Sequence, residues 1–177
     1  MWDKRLEFDG SNRYCMVTVD GTDFRIFEPT PFSPMWYSHK FKGPGVRYEV
    51  ALSINGGDIV HIHGPFACGA WPDISIFRDR LAHMLLPGEM VEADRGYRGE
   101  REKIRIPVDY QSVEEKRQKS RARACQETCN KRFKQFQCLQ QRFRHEISKH
   151  QECFEAVVVI TQLSIQHGES LFGVPFS

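Results

Sequence analysis

Three acidic residues in three settings carry most of the chemistry legible in this chain. Asp20 closes the apolar run Tyr14-Cys15-Met16-Val17-Thr18-Val19 and is followed by Gly21-Thr22. Asp94 closes a second run, Met90-Val91-Glu92-Ala93, and is followed by Arg95-Gly96-Tyr97. Glu127 stands downstream, inside a basic segment with a helical pattern. A carboxylate at the end of a buried strand is costly unless a cation pairs it. Two such acids and a helical third, if they converge, would form an oxygen cage for hard divalent ions such as Mg²⁺. That arrangement suits two-metal phosphodiester chemistry, in which the ions clamp the attacking and leaving oxygens.

The elements that must position these acids follow from periodicity. Residues 14–19 read as a strand that continues extended through 24–26 and then enters a loop marked by Pro29, Pro31 and Pro34. Val46, Tyr48, Val50, Leu52 and Ile54 alternate with Arg47, Glu49, Ala51 and Ser53, which predicts a half-buried strand. Asn55-Gly56-Gly57 predicts a hairpin turn, with residues 58–63 returning. A helix is predicted over 74–86, stopped by Pro87-Gly88, followed by short strands at 90–93 and 103–107. From 111 to 145 there is neither Gly nor Pro and the pattern is helical; a last helix is expected over 151–166. Antiparallel strands first, then strands alternating with helices, predict an α/β fold: a mixed sheet flanked by helices.

The 177 residues suffice for one domain with a real core, and 1–177 is read as a single domain. The net charge of +2 conceals a strong asymmetry: residues 116–149 hold 11 Lys/Arg against 2 Asp/Glu, whereas residues 1–115 hold 14 against 18. Positive charge gathered in one segment points to a polyanionic partner. The six cysteines show no framework spacing, so a reduced, intracellular setting is expected. The apolar stretch at 156–160 is far too short to span a bilayer, and no membrane association is expected.

On a helical wheel Arg123, Glu127, Lys131 and Lys134 fall within about 80° of one another, opposite Cys125, Cys129, Phe136, Leu139 and Phe143. One face goes to the core, and the other carries a lone carboxylate among three cations. The plain alternative for Glu127 is an i,i+4 helix pair with Lys131.

Taken together these pieces resemble the catalytic domain of the DDE superfamily endonucleases of Harbinger-type transposases and their domesticated relatives. The resemblance covers about 19–143. It is carried by Val19-Asp20-Gly21-Thr22, Tyr37-Ser38-His39-Lys40, Tyr48-Glu49-Val50 and the stretch from Gly64-Pro65 through Trp71-Pro72-Asp73 to Arg78. Ala93-Asp94-Arg95-Gly96-Tyr97 follows, then Arg121 to Glu127, then Lys131-Arg132-Phe133-Lys134. It implies a ribonuclease H-like fold, with Asp20, Asp94 and Glu127 as catalytic and metal-binding acids. Thirty-two residues separate Asp94 from Glu127, close to the family's spacing. Asp73 matches a recurrent acid that opens the helix after the hairpin; a helix-cap role accounts for it, and it could also ligate. Two features depart from the pattern. Asp23 stands where His is frequent, adding negative charge near the acids, and no N-terminal helix-turn-helix domain is present, so a separate DNA-reading partner is conceivable.

Other candidates have plainer accounts. His61-Ile62-His63 has the spacing of some zinc sites but no evident third ligand. Cys125 and Cys129, with Cys138 and His145 downstream, read as reduced core cysteines. The loop with Trp36, Tyr37, His39, Lys40 and Lys42 could grip nucleic acid or simply pack.

The expectation is therefore a metal-dependent DNA endonuclease or transposase catalytic domain holding two Mg²⁺ or Mn²⁺ ions. Lys116, Arg117, Lys119, Arg123, Lys131 and Lys134 would bind DNA phosphates, no organic cofactor is needed, and the setting is nuclear. The rival is a domesticated, inactive DNA-binding or scaffold protein.

Overall fold

The computed structural model describes residues 1–6, 15–109 and 112–171. Tyr14, the expected start of the first strand, and Gln111, the expected start of the long helix, lie outside the described residues. Among the described residues six strands form one mixed sheet: β1 Cys15–Arg25, β2 Tyr37–Ser38, β3 Gly43–Ser53, β4 Ile59–Ala67, β5 Met90–Glu92 and β6 Ile104–Arg105. β1 pairs antiparallel with β3, and β3 antiparallel with both β2 and β4. On its other side β1 pairs parallel with β5, and β5 parallel with β6. The helices are α1 Asp73–Asp79, α2 Leu81–Met84, α3 Val113–Phe133, α4 Gln137–Gln140 and α5 Ile147–Gln166. The sheet, its mixed order and its flanking helices are those of a ribonuclease H-like α/β fold.

Both faces of the sheet are covered, and a separate core forms on each. One joins Phe24, Tyr48, Val50 and Leu52 to Cys125, Cys129 and Phe133 of α3 and Phe154 and Val158 of α5. The other joins Val17, Val19 and Ala51 to Phe77, Leu81 and Tyr97. Side chains alternate across a strand, so Asp20 turns toward α3 whereas Gly21 turns toward α1. The double cover corrects the half-buried reading of β3: Arg47, Glu49, Ala51 and Ser53 are buried as well as Val46, Tyr48, Val50 and Leu52. Alternation reports two chemically different faces, not which of them meets water.

Three further expectations change. Asp20 lies within β1, since the strand continues to Arg25. The predicted 74–86 helix is broken at Arg80, which separates α1 from α2. The predicted 111–145 helix ends at Phe133, and its continuation turns back so that Phe143 bridges Ile26 beside β1. Phe136, Leu139 and Phe143 still join the α3 core, but from outside α3. Apolar spacing survives such a turn, so periodicity alone hid it. At its other end α3 begins with a capping box, Ser112 accepting from Glu115 N–H at 3.0 Å and Glu115 from Ser112 N–H at 3.0 Å.

Candidate active site

The parallel register of Thr18 with Glu92, carried two residues on, sets Asp20 on β1 beside Asp94 just past β5. α3 crosses the sheet on the face to which Asp20 turns. Asp20, Asp94 and Glu127 thereby line a single cavity of about 410 Å³, together with Thr18, Arg95, Lys119, Arg123 and Gln126. Asp20 is half-buried; its Oδ1 accepts from Gly21 N–H at 2.8 Å and its Oδ2 from the Asn130 amide at 3.0 Å. Burial, reinforced by Asp94 and Asp73 against the opposing pull of Lys40, raises the Asp20 carboxyl to about 6. Asp94 is exposed and accepts from Gly96 N–H at 2.7 Å, which closes a short 3₁₀ turn.

Glu127 stands apart in detail. It pairs with Arg123 at 3.0 Å across one helical turn, both side chains largely exposed. The i,i+4 partner is thus Arg123 and not Lys131. Such a pair is worth only a few tenths of a kcal/mol and leaves the side chain free to reorient.

Asp73 enters from the opposite face of the sheet. It is the first residue of α1, yet Pro72 is the cap position and Asp73 makes no cap hydrogen bond. The capping account is therefore corrected: the carboxylate is held by Arg47 at 3.1 Å. Burial raises its pKa; Arg47 and Lys40 oppose this, and Asp94 and Asp23 add to it.

Asp23 does not add free charge to the site. Arg47 grips it in a fork at 2.7 and 3.1 Å and the Ser38 hydroxyl donates at 2.6 Å. Burial disfavours its charge, but the guanidinium, Lys40 and Ser38 outweigh that and hold the carboxyl below its usual range. Lys40 also donates to the Gly21 carbonyl at 2.7 Å.

Of the cations expected to meet phosphates, Lys116, Arg117, Arg123, Lys131 and Lys134 are exposed. Lys119 is half-buried and donates to the Ala93 carbonyl at 2.7 Å, beside Asp94. Burial lowers its pKa against the pull of Glu92, Cys15 and Asp94. Lys134 lies 5.7 Å from the Phe24 ring centre.

Among the described residues no three His, Cys, Asp or Glu side chains are gathered as a ready metal cage. The reason lies in their partners: Glu127 leans on Arg123, Asp73 on Arg47 and Asp94 on Gly96. The donor chemistry nonetheless fits a hard cation, because burial with the charges of Asp94 and Asp73 raises the Asp20 carboxyl, and burial with Asp94 raises Asp73, despite the partial relief from Arg47 and Lys40. Elsewhere, His61 is buried 3.8 Å from Glu49, and His63 meets Asp79 at 2.7 Å. Cys125 and Cys129 are buried, free and held protonated by burial, which pushes Cys125 to about 12 and Cys129 further up.

Sequence reasoning missed Asn130, Gln126 and Arg47. For Asn130 and Gln126 a signal existed, since positions three after and one before Glu127 share its helix surface or border it. Arg47 gave none, because only the pairing of β1 with β3 brings it to Asp23.

A ribonuclease H-like sheet with acids at adjacent strands and on the crossing helix defines a class of polynucleotide-processing catalytic domains. A profile of the DDE superfamily endonucleases matches residues 19–162, and the chain belongs to that family. No curated protein and no solved structure matched the chain. Membership makes this a nuclease or transposase catalytic domain, for which DNA is the implied substrate. Among the described residues no helix is long and apolar enough to cross a membrane.

Proposed function

We propose that the protein is a divalent-metal-dependent DNA endonuclease of the Harbinger transposase type, with Asp20, Asp94 and Glu127 as its catalytic acids. The observation that carries this reading is the shared cavity lined by those three residues. Asp20 and Asp94 would hold Mg²⁺ or Mn²⁺, with Glu127 completing the set once released from Arg123, and Asp73 standing behind Asp94. Such ions, when bound, activate the attacking oxygen and stabilise the leaving one. The chain's own work is to orient oxygens and guide the polyanion. Gly21 N–H and the Asn130 amide fix both oxygens of Asp20. Lys116, Arg117, Arg123, Lys131 and Lys134 would neutralise phosphates and draw the backbone over the cavity, and Lys119 would hold Asp94's loop through Ala93. A nuclear setting and a separate DNA-reading partner complete the proposal.

The second reading, a DNA-binding scaffold without catalysis, is favoured by one observation: Glu127 is engaged by Arg123. Supercoiled-plasmid nicking with Mg²⁺, Mn²⁺ or EDTA separates the two. The nuclease reading expects nicking with metal only, and metal-dependent thermal stabilisation. Absence of both would leave the scaffold.

A further inference from the structure

Two side-chain amides of α3 grip one cross-strand pair. Gln126 Nε2 donates to the Val50 carbonyl at 2.9 Å and Asn130 Nδ2 donates to Asp20 Oδ2 at 3.0 Å. Val50 and Asp20 are register partners on β3 and β1. The two amides stand one helical turn apart and bracket Glu127. Their orientation is fixed by chemistry, since a peptide carbonyl and an ionised carboxylate can only accept. Each amide oxygen is left buried, and neither Gln126 Oε1 nor Asn130 Oδ1 has a hydrogen-bond partner among the described residues. An unpartnered buried acceptor is destabilising, so each amide satisfies one group and leaves its own oxygen at a cost. Holding the helix in one register is the gain that offsets this cost.

We infer that Gln126 and Asn130 are positioning residues: an amide clip that registers α3 on the Asp20–Val50 pair and so sets where Glu127 stands relative to Asp20 and Asp94. The inference rests on the nuclease reading of those acids. Asn130 acts on two of them at once, orienting Asp20 directly and Glu127 through the helix. Gln126 acts through the helix alone.

The test is Mn²⁺ binding, followed by the electron paramagnetic resonance of free Mn²⁺, on the wild type, Asn130→Ala and Gln126→Met. Each variant is repeated in the Glu127→Ala background, and melting is recorded in EDTA. Asn130→Ala is expected to weaken Mn²⁺ about tenfold, the scale of losing a residue that orients a ligand. Gln126→Met keeps the packing volume; it removes one unpartnered acceptor and deprives the Val50 carbonyl of its donor, so it should melt close to wild type yet bind Mn²⁺ more weakly. In the Glu127→Ala background that second effect should vanish, because nothing remains for the helix register to deliver. Wild-type Mn²⁺ affinity in both variants would overturn the clip and leave the nuclease reading standing. Weakening in both variants that parallels a loss of melting temperature, with the Gln126→Met effect persisting without Glu127, would reduce both amides to structural residues. Absence of Mn²⁺ binding by the wild type would overturn the nuclease reading, and the clip with it. Should Asn130→Ala not fold, Gln126→Met decides alone.

Discussion

Asp73 occupies the space that a side chain at Gly21 would fill. A Cβ built on Gly21 would collide with Asp73 Oδ1, and one on Gly96 would stand 2.9 Å from Asp73 Oδ2. The carboxylate thus lies against two glycines and meets Arg47 on the α1 side of the sheet. Gly21→Ala should expel it from that slot. Overpacking of this kind costs about 1–3 kcal/mol, to be read by thermal unfolding. Metal-dependent nicking should fall at least roughly tenfold, as when a ligand's supporting shell is disturbed. Unchanged melting and nicking in Gly21→Ala would show that Asp73 has room elsewhere and does not serve the site.

Asp94→Asn keeps shape and removes the charge a divalent ion requires. It should abolish Mg²⁺-dependent nicking and leave DNA binding in EDTA unchanged, because the basic face of α3 is untouched. It should also lower the titration midpoint of Asp20 from about 6, since Asp94 is one of the charges that raises it. Carboxyl carbon NMR reads that midpoint. Equal nicking by both proteins would disqualify Asp94.

DNA affinity should fall steeply with salt, each neutralised phosphate contributing about 0.9 to the log–log slope. Lys131→Ala with Lys134→Ala should weaken binding to all sequences alike and flatten that slope, as fluorescence anisotropy over a salt series would show. A loss confined to one sequence would mean that α3 reads bases.

Glu49 gives the metal-free protein a pH dependence of its own. It is fully buried, and burial with Asp73 and Asp79, against the opposing pull of the Tyr97 hydroxyl, raises it to about 8. A folded-state pKa above the unfolded one supports stability at low pH and loses that support as pH rises through the folded value. His61 and His150 work in the opposite direction, both lowered by burial to about 4, so their support is lost as pH falls below 6.5. Stability in EDTA should therefore peak near pH 6 and decline toward pH 8. Glu49→Gln, which mimics the protonated acid, should remove the decline and stabilise the protein at pH 8 by on the order of 2 kcal/mol. Denaturant unfolding at pH 6 and pH 8 checks it; parallel curves for the two proteins would sink the assignment.

The fold class was legible because its strands and helices differ in period, and the two apolar runs ending at Asp20 and Asp94 are the strands that pair. The acids' partners were not legible. Asp23 looked like surplus charge until β3 brought Arg47 against it, and Asp73 looked like a cap until its partner proved to be that same arginine. The first contact depends on strand pairing and the second on how α1 packs over the sheet, neither of which local sequence encodes. Glu127 was readable as a helix-surface acid, but both Arg123 and Lys131 lie one turn away, and spacing alone does not choose between them.

Because β1 turns Asp20 to one face of the sheet and Gly21 to the other, the site depends on phase as much as on identity. Deleting or inserting one residue in 15–19 would exchange the two faces. An insertion would drive a carboxylate into the slot that Asp73 fills, whereas a deletion would offer a glycine to Asn130. Length polymorphism in this short stretch should be less tolerated than any single substitution within it.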